Sequence, residues 1–581
     1  MNRDGAGAVL LDDVLVPGVN GAEVPTVQRW RGLAAAGLTL LALGLVLAVL
    51  TAPDRLDEMS PSAFLRLPVE LVLLVALLLA LPDRARRVRG LVVAAAGVLL
   101  GLLAVFRLLD LGFGQALNRP FDPMIDWRYA SDLVGTVRGS APGALGVVLL
   151  VVAGLVLLAA LLVVPLALHR VCRSAVRHRP AAVRAVTVLL PLWLVLSLLG
   201  IRAGSVPVAS DAAASYALAQ VARVPSQLRD QREFARAAAD DPARDAAAAD
   251  LLTGLRGKDV LVIFVESYGR VALDDPGLSP GVRATLDEGT RRLAGDGFRA
   301  RSAWLTSPTF GAISWLAHAT LQSGLWVDSQ QRYDHLVTTD RATLSSLFGR
   351  AGWRTVASVP ANDRDWPQGA FYGFDHVYDS RNVGYRGPRF GYPTMPDQFT
   401  LEAFQQAELA PRDRRPVMAE IDLISSHAPW SRTPDLLPQE SVGDGSVYAG
   451  MPETLPSEAD IWPDAGRVRA AYADSIAYSL QSVVSFLSTY ADDDLVVVLL
   501  GDHQPATIVS GGSSGDPGHD VPVAVIAKDP AVVGALGPWG WEPGMRPSDD
   551  APVWRMDTFR DALLRAYGPE GHTGTARAVT R

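Results

Sequence analysis

The chain has 581 residues, which is long for a single domain, and 49% of them are hydrophobic. Its mean hydropathy of +0.19 is high for a wholly soluble protein. The formal net charge of -8 excludes a basic surface for nucleic acid, and the single cysteine, Cys172, excludes an intrachain disulfide.

Apolar residues concentrate before about Gly204, in runs long enough to cross a bilayer, which takes about 20 residues each. The first run lies inside the chain and is followed by others of its kind, so we interpret it as a membrane anchor rather than a cleaved signal. We predict five transmembrane helices, at residues 30–52, 65–82, 90–112, 142–168 and 183–204.

The distribution of arginine predicts how these segments are oriented. The loops after the second and fourth segments are rich in arginine, and short loops of this kind face the cytoplasm. With five spans, the N-terminus then lies in the cytoplasm and the C-terminal half lies outside the plasma membrane. We therefore predict four parts: a cytoplasmic tail (1–29), a five-helix transmembrane domain (30–204), a helical linker (205–255) and an extracellular or periplasmic catalytic domain (256–581).

The C-terminal part alternates strand-like and helical stretches. Such alternation predicts an α/β fold with a mostly parallel sheet and helices on both faces. The predicted strands are 259–267, 354–359, 416–424, 495–501 and 521–527, and the longest predicted helix is 467–490. A portion of about 300 residues can bury a core of its own.

Two of these apolar strands end in side chains that bind metals. DVLVIFVES ends with Glu266 before its final serine, and LVVVLLGDH ends with Asp502 and His503. Because chemistry in α/β sheets collects at the carboxyl ends of strands, we expect these three side chains to meet. Carboxylate and imidazole ligands suit Mn²⁺ or Zn²⁺. The alternative for each is a polar turn after a strand.

A hydroxyl that could complete the site lies in LTSPTFGAISWLAHATLQSG, residues 305–324. Pro308 stops the preceding segment, and apolar residues recur at helical spacing from about Thr309 onward. Thr309 is therefore expected near a helix N-terminus, where the dipole and free amides favour an anion. The alternative is that Thr309 only caps the helix, and Ser307 and Ser314 are rival hydroxyls.

Four motifs carry a resemblance to a known family. In chain order behind the predicted spans they are FVES, SPTFGAISWLAH, SSHAPW and GDHQP. Together they resemble the lipoteichoic acid synthase and phosphoglycerol transferase branch of the sulfatase and alkaline phosphatase superfamily, over residues from about 255 to 570. The resemblance implies a sulfatase-like fold with one divalent ion, most simply Mn²⁺, with Zn²⁺ or Mg²⁺ as alternatives. The implied ligands are Glu266, Thr309, Asp502 and His503, with Thr309 as the nucleophile.

The resemblance also implies a substrate pocket, formed by His427, Arg364, Trp366 and His519. His427 matches a histidine that contacts the substrate phosphate in similar enzymes. Arg364 would meet phosphate and Trp366 would wall the pocket for the head group. Structural roles are the alternatives for His427 and His519, and we interpret His318 as a structural residue.

The implied reaction is transfer of a phosphoglycerol-type head group from a membrane phospholipid to a glycan, glycolipid or polymer acceptor, through a phospho-threonine intermediate. Phosphoethanolamine transfer and hydrolysis of a phosphate or sulfate ester are alternatives. Sulfatases proper use a modified cysteine or serine, and Cys172 falls in a predicted cytoplasmic loop, which disfavours sulfate-ester hydrolysis. A non-enzymatic, membrane-tethered binding protein is a further alternative, but the retention of every candidate ligand argues against it.

Overall fold

The computed structural model describes most of the chain: residues 24–53, 59–123, 126, 144–204, 206–462, 464–511 and 518–569. The chain forms two compact units, one of residues 1–52, 60–104 and 158–215, the other of residues 53–59, 105–157 and 216–581. Most of the predicted N-terminal tail (1–29) lies outside the described residues.

Apolar helices dominate the N-terminal part of the chain: α1 (Val24–Thr51), α2 (Val69–Ala80), α3 (Arg86–Leu117), α4 (Ala144–Arg177) and α5 (Arg179–Leu198). Within the described ranges, four stretches are long and apolar enough to cross a membrane: Trp30–Thr51, Asp83–Gln115, Leu150–Arg177 and Arg179–Leu198. The only helix within the predicted segment 65–82 is α2, whose 12 residues extend about 18 Å, less than the roughly 30 Å of a bilayer core. The predicted count of five spans is therefore not confirmed.

Most apolar side chains of these four stretches are not buried. Leu41 is 72% exposed, Leu91 70% and Leu198 77%. Extended apolar surfaces of this kind mark a membrane or protein contact, and here they cover helices of membrane-spanning length. The helices therefore indicate a membrane anchor, whereas the orientation of each loop stays a prediction.

Short strand pairs lie before α2 and after α5. Leu67–Pro68 pairs in parallel with Ala209–Ser210, and Arg202–Ala203 pairs antiparallel with Val206–Pro207. Helix α6 (Ala212–Ala239) then occupies most of the predicted linker.

The C-terminal domain is built on a nine-stranded sheet. Its strands are β1 (Asp259–Val265), β2 (Arg299–Thr306), β3 (Arg354–Val359), β4 (His376–Asp379), β5 (Val417–Leu423), β6 (Leu495–Gly501), β7 (Asp520–Ala527), β8 (Glu542–Pro543) and β9 (Val553–Arg555). The main helices are α7 (Ser279–Gly295), α8 (Ser314–Ser323), α9 (Asp397–Phe404), α10 (Ala465–Tyr490) and α11 (Phe559–Ala566). Shorter helices are Val271–Asp274, Gln330–Leu336, Leu344–Arg350, Gly369–Tyr372, Met451–Thr454, Glu458–Ile461, Thr507–Ser510 and Pro530–Gly534.

The strand order is β8-β2-β7-β6-β1-β5-β3-β4, with β9 paired to β2. Strands β6, β1, β5, β3 and β4 run parallel to one another, and β7 is antiparallel to both β6 and β2. The prediction of a mostly parallel α/β sheet is confirmed.

Strand β1 shows why this sheet is covered on both faces. Leu261, Ile263 and Val265 pack into one buried cluster with α7, α9 and α10. The alternate side chains Val260, Val262 and Phe264 pack into a second cluster with α8 and α11. A parallel strand buried on both faces reads as a continuous apolar run, which is the pattern of residues 259–265.

Glycines let the chain segments after β1 and β6 approach closely. A Cβ atom on Gly501 would lie 1.9 Å from the carbonyl oxygen of Tyr268, and one on Gly269 would lie 2.7 Å from the Cα of Gln504. No side-chain carbon fits at such distances, so the two segments pack backbone against backbone. This close packing holds the residues that follow β1 and β6 side by side.

We expect Gly501→Ala to lower the free energy of unfolding by about 1–3 kcal/mol or more, because the added methyl group must displace the Tyr268 carbonyl. The measurement is denaturant unfolding of the full-length protein in detergent, followed by tryptophan fluorescence. Gly534→Ala is the matched control: nothing lies within 4 Å of its added Cβ, so its effect is neutral or slightly stabilising. Equal effects of the two substitutions would contradict this account of Gly501.

Candidate metal centre

The register of the two central strands places three metal-ligand side chains together. Val265 at the end of β1 pairs with Gly501 at the end of β6, so Glu266 and Asp502 leave neighbouring strands at the same edge. One ligand atom from each of Glu266, Asp502 and His503 lies within 4.8 Å of the others. The structure thus brings these three sequence-predicted residues together.

The distances within this group are those of a coordination shell. The Nε2 atom of His503 lies 3.4 Å from Glu266 Oε1 and 3.4 Å from Asp502 Oδ2. Ligands bound at about 2.0–2.2 Å from one ion are separated from each other by roughly these distances. Asp502 and His503 are 1% and 0% exposed, so water provides little of the compensation that their polar atoms need.

The hydroxyl that joins this group belongs to Ser314, the first residue of α8. Its Oγ donates to Glu266 Oε2 at 2.9 Å and lies 3.2 Å from His503 Nε2. Ser314 therefore lies at the helix N-terminus beside Glu266 and His503. This is the position predicted from the sequence for Thr309.

Thr309 lies in the loop before α8, where its hydroxyl donates to the carbonyl oxygen of Ala312 at 2.7 Å. The prediction that this helix begins at about Thr309 is wrong. Gly311 and Ile313 adopt positive φ angles of 73° and 70°, which a right-handed helix cannot include, so the helix starts only at Ser314. Consequently the structure places the Ser314 hydroxyl, and not that of Thr309, against Glu266 and His503. The spacing of apolar residues could not show whether Thr309 or Ser314 begins the helix, because it carries no information about the backbone φ angles of Gly311 and Ile313.

Hydrogen bonds fix the orientation of His503 and Asp502. His503 Nδ1 lies 2.8 Å from the carbonyl oxygen of Gln504, which assigns the ring proton to Nδ1 and leaves the Nε2 lone pair facing the carboxylates. Asp502 Oδ1 accepts the backbone N–H groups of Ser267 and His503, each at 2.7 Å. Its Oδ2 is buried without a hydrogen-bond donor. This unpaired oxygen, together with nitrogen and oxygen donors at coordination distances, fits a divalent transition ion.

The two carboxylates affect each other strongly. Burial and the negative charge of Glu266 raise the pKa of Asp502 to about 6. Although burial alone would raise the pKa of Glu266, its electrostatic interactions with His427 and His503 and its hydrogen bond from Ser267 lower the pKa to about 2. Glu266 is therefore the more acidic of the two carboxyl groups, and a bound cation would favour ionisation of both.

Two further sequence-predicted histidines lie near this group. His427 follows β5, stacks on Tyr392 with ring centroids 3.7 Å apart, and is close enough for its charge to lower the pKa of Glu266. The carbonyl oxygen of His519 accepts the N–H of Ser307 at 2.9 Å. Ser307 in turn donates its hydroxyl to the carbonyl oxygen of Asp502 at 2.6 Å, so His519 adjoins the loop beside the centre.

Arg364 and Trp366 follow β3, at the carboxyl edge of the sheet where the centre lies. The Arg364 side chain is 82% exposed and lies 3.9 Å from Asp363, while Trp366 packs against Tyr372 with ring centroids 5.3 Å apart. In the described part of the chain, no hydrogen bond or ion pair joins either residue to Glu266 or Asp502. Their assignment to the substrate pocket stays a prediction.

Solved structures similar to this chain share low sequence identity with it. The lipoteichoic acid synthase LtaP from Listeria monocytogenes is 16% identical, with 56% of this chain and 78% of that chain covered and a TM-score of 0.36. An alkaline phosphatase superfamily protein from Vibrio parahaemolyticus is 15% identical, with coverage of 59% and 78% and a TM-score of 0.38. The Streptococcus pyogenes phosphoglycerol transferase GacH, in complex with sn-glycerol-1-phosphate, is 14% identical, with coverage of 59% and 80% and a TM-score of 0.34.

A sequence-family match gives the domain its assignment. No curated protein matches the chain. The family model described as Sulfatase matches residues 258–529, which extend from the start of β1 past the end of β7 and include Glu266, Ser314 and Asp502. The C-terminal part of this membrane-anchored chain therefore carries a sulfatase-family domain.

Proposed function

We propose that the sulfatase-family domain transfers a phosphoglycerol-type head group from a membrane phospholipid to a glycan, glycolipid or polymer acceptor outside the cytoplasm, through a covalent intermediate on Ser314. The observation that carries the proposal is the position of the Ser314 hydroxyl, 2.9 Å from Glu266 and 3.2 Å from His503 at the N-terminus of α8. The family match supports an enzyme of the alkaline phosphatase superfamily, and the apolar helices support a lipid donor.

The residues of the centre have separate tasks in this proposal. Glu266, Asp502 and His503 hold one divalent ion, which acts as a Lewis acid toward oxygen atoms when bound. Mn²⁺ is the ion we propose, with Zn²⁺ or Mg²⁺ as alternatives. Glu266 accepts the Ser314 hydroxyl hydrogen bond and so orients the Oγ lone pairs away from itself. The N-terminus of α8 favours negative charge at Ser314, because its first amides have no partner within the helix.

The proposed reaction has two balanced steps. In the first, Ser314 Oγ forms a bond to the donor phosphorus, and the bond from phosphorus to diacylglycerol breaks; diacylglycerol leaves with the serine proton. In the second, the acceptor hydroxyl forms a bond to phosphorus, and the phosphoserine bond breaks with return of a proton to Ser314. His427 offsets negative charge on the phosphoryl oxygens, and Arg364, Trp366 and His519 line the head-group pocket.

Hydrolysis of a phosphate or sulfate ester is the second candidate. It is favoured by the family that matches residues 258–529 and needs only water as the final acceptor. Ser314 would be phosphorylated in the same first step of phosphate-ester hydrolysis, so the identity of the acceptor separates the two reactions.

We expect the full-length protein, incubated in detergent with Mn²⁺ and phosphatidylglycerol and quenched in acid, to gain the mass of one glycerol phosphate less one water. Ser314→Ala should abolish this adduct and lower head-group transfer at least about 1,000-fold, because the nucleophile is lost. Thr309→Ala is the matched control and should retain the adduct, since its hydroxyl contacts Ala312. Intact-protein mass spectrometry measures all three proteins.

The opposite pattern, with the adduct lost only in Thr309→Ala, would return the nucleophile to Thr309. Release of free glycerol phosphate in the presence of acceptors would identify a hydrolase. Release of sulfate from a model ester, with no phospholipid turnover, would identify a sulfatase.

Metal binding gives an independent prediction. Asp502→Asn should weaken Mn²⁺ binding at this centre at least about 100-fold, because it removes a negatively charged ligand beside His503. Asp494→Asn is the control at the opposite end of β6, where the Asp494 side chain is 62% exposed and pairs with Lys258. Isothermal titration of each full-length protein with Mn²⁺ measures the affinities. Equal affinities in the two variants would contradict the assignment of Asp502.

A further inference from the structure

A second group of ionisable side chains lies along the same helix as Ser314. Residues Ser314, His318 and Gln322 are spaced four apart on α8, so they form one polar stripe on the helix surface. The stripe faces β5, where Glu420 and Asp422 share one face of the strand because side chains alternate. Two carboxylates in an otherwise apolar, buried strand are unusual and need a specific compensation.

The geometry of this second group repeats that of the Ser314 centre. His318 Nδ1 lies 3.1 Å from Glu420 Oε1 and 3.6 Å from Asp422 Oδ1. One ligand atom from each of the three residues lies within 4.8 Å of the others. The His318 ring is held by stacking on Phe264, with centroids 3.9 Å apart and an interplanar angle of 10°.

The hydrogen bonds of this group leave one oxygen unsatisfied. Gln322 donates to Glu420 Oε2 at 2.5 Å, so both oxygens of Glu420 have a partner. Asp422 Oδ1 is buried and has no hydrogen-bond donor, as is true of Asp502 Oδ2 in the first centre. His318 Nδ1 carries at most one proton and cannot satisfy both carboxylates with it.

The group also places two acidic side chains beside a single imidazole. The side chains of Glu420, His318 and Asp422 are only 2%, 12% and 20% exposed, so solvent compensates little of their charge. Two buried carboxylates beside one imidazole are stabilised by an additional positive charge.

We propose that His318, Glu420 and Asp422 bind a second divalent metal ion, one helical turn along α8 from the Ser314 centre. One imidazole nitrogen and two carboxylate oxygens are ligands for an ion of the Mn²⁺ or Zn²⁺ class. One turn of helix is about 5.4 Å, longer than the roughly 3.5–4 Å between ions that share a substrate, so the second ion supports the site and does not bridge to the first. It holds α8 against β5 and thereby fixes the position of Ser314.

This inference goes beyond the proposed function, since metal content can be measured whatever reaction the domain performs. The experiment strips full-length protein in detergent with a chelator, dialyses it against Mn²⁺, and counts bound manganese by mass spectrometry of the element. Two Mn²⁺ ions per wild-type chain are expected. Asp422→Asn and Asp502→Asn should each retain one ion, the double variant none, and the control Asp494→Asn both.

The outcomes separate the two sites from each other and from a folding defect. One ion in the wild type overturns the proposal without reference to any variant, and would mean that a protonated His318 balances the cluster alone. Two ions in Asp422→Asn overturn it as well, because the second ion would then lie elsewhere. Circular dichroism of each variant identifies a loss of fold. If Asp502→Asn keeps both ions while Asp422→Asn keeps one, the result supports the second site and contradicts the assignment of Asp502 as a metal ligand in the proposed function.

Discussion

The parallel pairing of β1 with β6 is the constraint on which the candidate site depends. Val265 opposite Gly501 sets the register, and the residues after each strand therefore leave the sheet together. A shift of one residue would turn the side chains of β6 to the opposite face and separate Asp502 from Glu266. Glycine at 501 preserves this register because the backbone of Tyr268 occupies the space that a side chain would need.

The domain contains two groups of buried or partly buried acidic side chains, each beside a histidine. Glu266 and Asp502 lie beside His503, and Glu420 and Asp422 of β5 lie beside His318 of α8. Such groups oppose folding unless cations or hydrogen bonds compensate them, and each cluster retains one buried carboxylate oxygen without a donor. Buried polar groups without hydrogen-bond partners are found mainly at functional sites, where a bound ligand can supply the missing interaction.

Much of the architecture could be predicted from the sequence because it depends on local patterns. Apolar runs predicted β1 and β6, helical periodicity predicted α10, and their alternation predicted the parallel sheet. The juxtaposition of Glu266, Asp502 and His503 was predictable too, since all three follow the ends of neighbouring buried strands. The apolar helices were equally evident, although hydropathy counted α2 as a span and only its 12-residue length showed that it is short for one.

The tertiary structure decided which hydroxyl lies against Glu266 and which other acidic side chains lie beside a histidine. The sequence pattern of residues 305–324 is compatible with Ser307, Thr309 or Ser314, because hydropathy does not report the positive φ angle of Ile313 that delays the start of α8. Glu420 and Asp422 lie inside a mostly apolar strand, so the sequence pattern did not mark them as site residues. His318 lies on a helix about 100 residues away in sequence. Only the packing of α8 against β5 brings them together. Local periodicity determines which elements form and which faces they bury, whereas the pairing of distant side chains depends on how those elements pack.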